Sequence, residues 1–248
     1  MSTTGCTLPE VLRRYYLDTM GIRVWQQREP AAVQPDVHSA HAGARMMDST
    51  GIDAAPATGQ RSVADDRAPD WQRLEQAVAS CTKCELHRSR TQTVFGTGDR
   101  HAELLIIGEA PGRDEDLQGE PFVGRAGQLL NAMLLAIGFR REQVYIANIL
   151  KCRPPNNRDP GVEEAAACNP FLQAQIELIQ PRVILALGRI AAHNLLNTDE
   201  KVGALRARQH SYAGVPLIVS YHPAYLLRSP LEKRKAWQDL KAVMALLK

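Results

Sequence analysis

Four short apolar runs recur through the last two thirds of the chain, at 103–107, 144–149, 182–187 and 216–220. Leu, Ile and Val dominate these runs, which is typical of buried β-strands. Segments with apolar residues at helical spacing separate them. Strands that alternate with helices in this way predict an α/β fold, with a mostly parallel four-stranded sheet covered by helices on both faces.

Helical spacing of apolar residues covers five segments of this region: 71–80, 126–138, 161–179, 188–197 and 231–247. The first of these segments leads into the Cys81–Cys84 pair, the next three separate the apolar runs, and the last closes the chain.

The chain before this region follows a different pattern. Residues 8–28 place apolar side chains on one helical face, whereas 29–69 are rich in Ala, Asp, Gly, Ser, Thr and Pro. A stretch of the second kind buries too little apolar surface to offset its ordering entropy. We therefore predict an N-terminal helical extension at 1–28, a flexible linker at 29–69 and a main domain at 70–248. The extension is expected either to dock on the main domain or to bind a partner.

The overall composition is that of a soluble globular protein. The 248 residues are 44% hydrophobic and 23% charged, with a net charge of +3, which permits a nucleic-acid partner without requiring one. No apolar run approaches the roughly 20 residues that span a bilayer, and no signal peptide is recognisable. We expect a cytoplasmic protein without a membrane partner.

Four of the five cysteines form two pairs that suit a metal site. Cys81 and Cys84 make a C-x2-C pair, while Cys152 and Cys168 follow far downstream, around a polar, proline-rich segment. Without an export signal, such cysteines favour metal ligation over disulfides. Four thiolates suit either Zn²⁺ or a [4Fe–4S] cluster, and the spacing leaves both open. Cys6 is expected to be a free thiol.

Polar residues follow the predicted strands, where ligands bind in open α/β sheets. The first strand leads into G-E-A-P-G-R-D-E-D at 108–116, which is neither a Walker A loop nor a Rossmann fingerprint. The second strand ends at Asn148, whose amide can read a base edge or simply cap the strand. The last strand leads to His222, next to Pro223.

Two further segments carry candidate contacts with nucleic acid. Phe122 stands on a Gly/Pro-flanked loop, where an aromatic ring can serve as a stacking platform for a base. Leu226, Leu227 and Arg228 follow the last strand and could form an apolar wedge with a phosphate contact. The alternative for both leucines is packing beneath the terminal helix.

Together these blocks resemble family 4 uracil-DNA glycosylases, the iron–sulfur branch of the uracil-DNA glycosylase superfamily. The resemblance covers about 71–248. It rests on G-E-A-P-G-R-D-E-D, G-E-P-F-V-G-R-A-G-Q-L-L, N-I-L-K-C-R-P-P-N-N-R and Y-H-P-A-Y-L-L-R-S-P, in that order and with the cysteine placement.

The resemblance implies a three-layer α/β/α sandwich, a [4Fe–4S] cluster and hydrolysis of the N-glycosidic bond of uracil in DNA. It implies that the cluster is held by Cys81, Cys84, Cys152 and Cys168. It further implies a uracil pocket made by Glu109, Ala110, Pro111, Glu115, Phe122, Asn148 and His222.

Within that pocket the resemblance gives each side chain a role. Phe122 would stack on the flipped base, Asn148 would pair with its Watson–Crick edge, and Glu115 would lie near C5. His222 would donate to O2. Other branches of the superfamily carry an Asp where this chain has Ala110, so we expect either Glu109 or Asn157 to orient the attacking water.

The expected protein is thus a monofunctional, monomeric glycosylase that initiates base-excision repair on single- or double-stranded uracil-DNA. A repair or replication partner could bind the N-terminal extension. Two alternatives stay open: a non-catalytic iron–sulfur DNA-binding or adaptor protein, and a superfamily relative that captures uracil-DNA covalently.

Overall fold

The structure is a computed structural model that describes residues 14–15, 17–18, 68–206 and 208–248. The predicted linker at 29–69 lies almost wholly outside the described residues, and so does most of the predicted 8–28 helix. Residues 14–15 and 17–18 are helical, and Leu17 is buried at 4% exposure. No helix within the described ranges is long and apolar enough to cross a membrane.

A mixed sheet forms the centre of the main domain. In the described part of the chain it has six strands, in the order β1-β3-β2-β4-β6-β5. The strands are β1 Thr97–Gly98, β2 Leu104–Gly108, β3 Tyr145–Asn148, β4 Val183–Leu187, β5 His210–Tyr212 and β6 Val215–Ser220. Strands β3, β2, β4 and β6 run parallel, which confirms the predicted parallel core.

The sheet differs from the prediction at its two edges. Strand β1 pairs antiparallel with β3, and β5 pairs antiparallel with β6, so the predicted four strands become six. These edge strands are two and three residues long and lack the apolar run of a buried strand. Their strand conformation depends on pairing with a neighbour, which local sequence does not show.

Helices cover both faces of the sheet. They are α1 Ala68–Ala79, α2 Arg113–Gln118, α3 Arg125–Ala136, α4 Val162–Ile179, α5 Arg189–Leu196, α6 Val202–Leu205, α7 Pro223–Arg228 and α8 Lys233–Leu247. Short 3₁₀ turns lie at Glu85–Arg88, Arg141–Gln143, Pro155–Asn157 and Pro230–Glu232.

The core lies in two layers, one on each side of the sheet. Leu105 and Ile107 of β2 join the cluster of α1, α4 and α5, whereas Leu104 and Ile106 join the cluster of α3 and α8. This alternation follows from the two-residue period of a strand. The result is the expected three-layer α/β/α sandwich. Leu17 packs into the α3–α8 layer, which favours docking for that part of the extension.

Candidate active site

A cavity of about 460 Å³ opens where β2, β3 and β6 end, at the carboxyl edge of the parallel strands. Strand β2 has β3 on one side and β4 on the other, so the chain winds outward from it in both directions, and open α/β sheets bind ligands at such a switch point. The lining residues are Glu109, Ala110, Pro111, Gly112, Glu115, Phe122, Ala126, Asn148, Pro154, Asn157, Arg158, His222, Ala224, Tyr225 and Arg228.

All seven residues predicted for the base pocket line this one cavity, together with Asn157 and Arg228. Sequence reasoning missed six further lining residues: Gly112, Ala126, Pro154, Arg158, Ala224 and Tyr225. All six stand within the four sequence blocks that carry the resemblance, and that position was the available signal.

Asn148 is the most unusual polar group of the cavity. It ends β3 and is 2% exposed, and among the described residues its Oδ1 has no hydrogen-bond partner. A Cβ at Gly108 would collide with this oxygen and would lie 2.6 Å from Cζ of Phe122. Only glycine therefore fits beneath the amide. Buried polar groups are nearly always paired, so an unpaired acceptor in a cavity wall is suited to an incoming donor.

His222 presents a neutral imidazole of defined tautomer. It stands at the N-terminus of α7, where the backbone N–H of Ala224 donates to its Nδ1 at 3.1 Å. Burial and, to a smaller extent, the nearby Arg228 cation together lower the pKa of His222 to about 4. The ring is therefore neutral at pH 7. Because Nδ1 accepts a hydrogen bond, the ring proton lies on Nε2, which can donate.

Phe122 has a backbone conformation that is rare for a bulky residue. Its φ is +55°, in the left-handed region, which costs on the order of 1–3 kcal/mol and persists only where the surroundings enforce it. A Cβ at Gly127 would overlap the Phe122 carbonyl oxygen, so α3 can approach this turn only with glycine there. The ring stacks with that of His222, with 5.5 Å between centroids and 28° between planes.

Glu115 lines the cavity and also organises its loops. Its carboxylate accepts from the backbone N–H groups of Gly112 (3.1 Å), Val123 (3.0 Å) and Gly124 (3.2 Å). These bonds cap α2 and tie it to the Phe122 turn. The role of Glu115 near C5 of a base stays a prediction.

Glu109 is a carboxylate of raised pKa at the end of β2. Burial and the negative charge of Asp159 raise its pKa, the cation of Arg189 opposes them, and the net result is a pKa of about 7. Asp159 and Arg189 themselves form an ion pair. A carboxyl group with a pKa near 7 can exchange a proton at neutral pH, which suits it to acid–base work.

Asn157 lies on the loop between β3 and α4. Its Oδ1 accepts from Nε of Arg153 at 2.7 Å, and its φ of +52° is a left-handed value that Asn tolerates. The next residue, Arg158, forms a bidentate ion pair with Glu164 of α4. The loop is thus held at both sides of Asn157.

The predicted DNA-contact segment needs one correction. Leu226 is 1% exposed and belongs to the core layer of α3 and α8, so the prediction that it contacts DNA is wrong. Leu227 is 36% exposed, and Arg228 lines the cavity. On a helix as short as α7, neighbouring leucines point in different directions, and only the fold decides which is buried.

The four predicted metal ligands surround a second, small cavity. Cys81, Cys84, Cys152 and Cys168 all line it. Among the residues described, no three His, Cys, Asp or Glu side chains are grouped as ligands of a single ion. Four thiols around a shared cavity suit either a Zn²⁺ ion or a [4Fe–4S] cluster. Arg90 donates to Sγ of Cys152 at 3.1 Å.

Lys151 connects the cysteine cavity with the base pocket. It is 1% exposed; its ammonium donates to the Asn148 carbonyl oxygen at 3.0 Å and to Oε1 of Gln175 at 2.6 Å. Its backbone N–H donates to Sγ of Cys168 at 3.3 Å. Because its ammonium donates to these buried groups and does not line the pocket, Lys151 is not placed to act as a nucleophile.

Comparison with known proteins agrees with this geometry. The family model of the uracil DNA glycosylase superfamily matches residues 95–241. A type-4 uracil-DNA glycosylase of Archaeoglobus fulgidus is 48% identical over 178 residues, 68% of this chain and 89% of that relative. Similar enzymes of Pyrobaculum aerophilum (45% identical, 69% and 91% covered) and Thermotoga maritima (43% identical, 71% and 93% covered) carry the same name. The chain therefore belongs to the uracil DNA glycosylase superfamily and, within it, to the type-4 family.

Proposed function

We propose that this protein is a monofunctional uracil-DNA glycosylase that initiates base-excision repair. The observation that carries the proposal is the buried, unpaired amide oxygen of Asn148 in the cavity wall. Uracil offers an N3–H donor beside the O4 acceptor, and an Asn side chain offers an acceptor beside a donor. A flipped uracil would satisfy this edge, whereas cytosine would present its amino group to the amide N–H₂.

Phe122 supports the proposal because it supplies an apolar wall for a flat ring. Its ring lies beside Asn148, against Gly108, at a position enforced by the left-handed turn. A base extruded from the duplex loses its stacking, at a cost of a few kcal/mol. Stacking on an aromatic side chain recovers about 1–3 kcal/mol of this cost.

His222 would stabilise the leaving group. Cleavage of the C1′–N1 bond sends its electron pair onto the uracil ring, and negative charge develops on O2. The neutral imidazole would donate its Nε2 proton as a hydrogen bond to that oxygen. One such donor is typically worth about 3–4 kcal/mol, or about 10²- to 10³-fold in rate.

Glu109 and Asn157 would orient the attacking water. The water would add to C1′ of the sugar, and its proton would pass to the Glu109 carboxylate. Negative charge at Glu109 would also favour the positive charge that develops on the sugar. The products would be an abasic site and the uracil anion, which takes up a proton from solvent to give free uracil.

The cysteines would hold a [4Fe–4S] cluster through Cys81, Cys84, Cys152 and Cys168. When bound, the cluster would supply iron–thiolate bonds that join α1, the 3₁₀ turn after it, the Asn157 loop and α4. The reaction at uracil is assigned to the pocket residues alone.

The test is release of free uracil from single- and double-stranded uracil-DNA by purified protein, with iron content measured on the same sample. Asn148→Ala and His222→Ala should each lower release at least about 100-fold while DNA is still bound. Binding without release by the wild-type protein would point to an adaptor. A DNA-linked protein band on a denaturing gel would point to covalent capture.

A further inference from the structure

The turn that carries Phe122 is held from both sides by charged side chains. On the amide side, Glu115 accepts from the N–H groups of Val123 and Gly124. On the carbonyl side, Arg141 donates from Nη1 to the Phe122 oxygen at 3.3 Å and from Nη2 to the Pro121 oxygen. A planar guanidinium can reach two adjacent carbonyl groups at once.

Arg141 is well placed for this role because it is itself fixed. It begins the 3₁₀ turn Arg141–Gln143 before β3, and its Nη1 also donates to Oδ1 of Asn131 on α3 at 3.4 Å. The main-chain oxygens that it contacts, those of Pro121 and Phe122, lie about 20 residues earlier in the chain. Its side chain lies outside the group of described residues that line the base cavity.

The carbonyl contacts bear directly on the position of the ring. A left-handed φ at a bulky residue persists only where its surroundings enforce it. Gly127 packs against the Phe122 oxygen, so this oxygen is confined by α3 on one side and bound by Arg141 on another. A shift of the oxygen rotates the peptide and moves the ring off its place between Gly108 and His222.

We propose that Arg141 is a positioning residue that fixes Phe122 as the stacking wall for the flipped base. The inference rests on the proposed function and deepens it, since Arg141 would act on uracil only through Phe122. Loss of the guanidinium would relax the turn, weaken stacking and leave the Asn148 and His222 contacts in place.

The test is a double-mutant cycle between Arg141→Met and Phe122→Ala, read as the inhibition constant of free uracil and as kcat/KM on uracil-DNA. Arg141→Met should weaken both by roughly tenfold, within the range of a lost base–aromatic stack. In the Phe122→Ala background the same change should add less than about twofold. Equal losses in both backgrounds would overturn the proposal.

Two further variants complete the design. Arg140→Met is the matched control, because Arg140 is adjacent, exposed and paired with Glu142, and it should leave both readouts unchanged. Arg141→Lys keeps the charge but loses the two-carbonyl fork, so it should show a smaller loss of the same sign if Arg141→Met does not fold. If the wild-type protein releases uracil and Arg141→Lys matches it in both readouts, the positioning role is rejected while the proposed function stands. A wild-type protein that releases no uracil would reject the proposed function.

Discussion

Replacing Asn148 with leucine should stabilise the protein while it abolishes most of the activity. Leucine keeps the branching of the asparagine side chain but removes the amide oxygen Oδ1, which has no hydrogen-bond partner among the described residues. An unpaired buried polar group costs about 1–3 kcal/mol, and an apolar group of the same shape removes that cost. Since Asn148 is 2% exposed, close to the full desolvation cost applies. The net gain from leucine is smaller than that cost, because its side chain must fit tightly against Gly108.

The expected gain is about 1–2 kcal/mol in the free energy of unfolding. For a domain of this size that raises the melting temperature by about 2–8 °C. The expected loss in uracil release comes from two hydrogen bonds to the base edge, together about 2–4 kcal/mol in a buried pocket. At 1.36 kcal/mol per tenfold, kcat/KM should fall about 30- to 900-fold.

Thermal unfolding and single-turnover uracil release on the same preparations provide the measurements. Asn194→Leu is the matched control, because the Asn194 amide already donates to the Ile190 carbonyl oxygen at 2.8 Å; its release rate should equal that of the wild type. A lower melting temperature for Asn148→Leu would refute the interpretation of Oδ1 as an unpaired acceptor that costs stability. Release within threefold of the wild type would refute its role in reading the base.

Three other outcomes follow from the site. In the wild type, kcat/KM should fall about tenfold per pH unit below 7, because the Glu109 carboxylate with a pKa of about 7 becomes protonated. Glu109→Gln should lower kcat/KM and flatten this pH profile. His222, with a pKa of about 4, should add no inflection between pH 5 and 9. A wild-type profile of kcat/KM that is flat across pH 7 would contradict the role of Glu109. Cys152→Ser should lower the iron content per chain and the broad absorption near 400 nm; full iron occupancy would exclude Cys152 as a ligand. Leu226→Ala should destabilise the fold by about 2–5 kcal/mol in urea unfolding, whereas Leu227→Ala should leave stability unchanged and weaken duplex binding; the reverse pattern would restore Leu226 as the DNA contact.

The parallel core could be predicted because its strands are buried on both faces. The residues of β2 and β4 are wholly apolar up to the glycine that follows or ends each strand, so the runs stand out in the sequence. The candidate site could be located for a related reason: the carboxyl ends of parallel strands meet at one edge, where Asn148 ends β3, Glu109 follows β2 and His222 follows β6.

Other features depend on contacts that sequence does not encode locally. Strands β1 and β5 form only because they pair with β3 and β6. The burial of Leu226 beside an exposed Leu227 depends on how the short α7 lies over the α3–α8 layer. Arg141 acts on main-chain oxygens, and no residue pattern signals a bond to a carbonyl group 20 positions away.

One face of α4 holds the loop around Asn157 in place. Glu164, Cys168 and Gln175 lie within about 40° of each other on that helix, given 100° per residue, and they contact Arg158, the cysteine cavity and Lys151. The loop around Asn157 is therefore bound to a rigid helix along its length. Its amide hydrogens should exchange at a rate set by the opening of α4 rather than by the fraying typical of a polar, proline-rich loop. The loop around Asn157 thus belongs, in its slow dynamics, to the core of the protein.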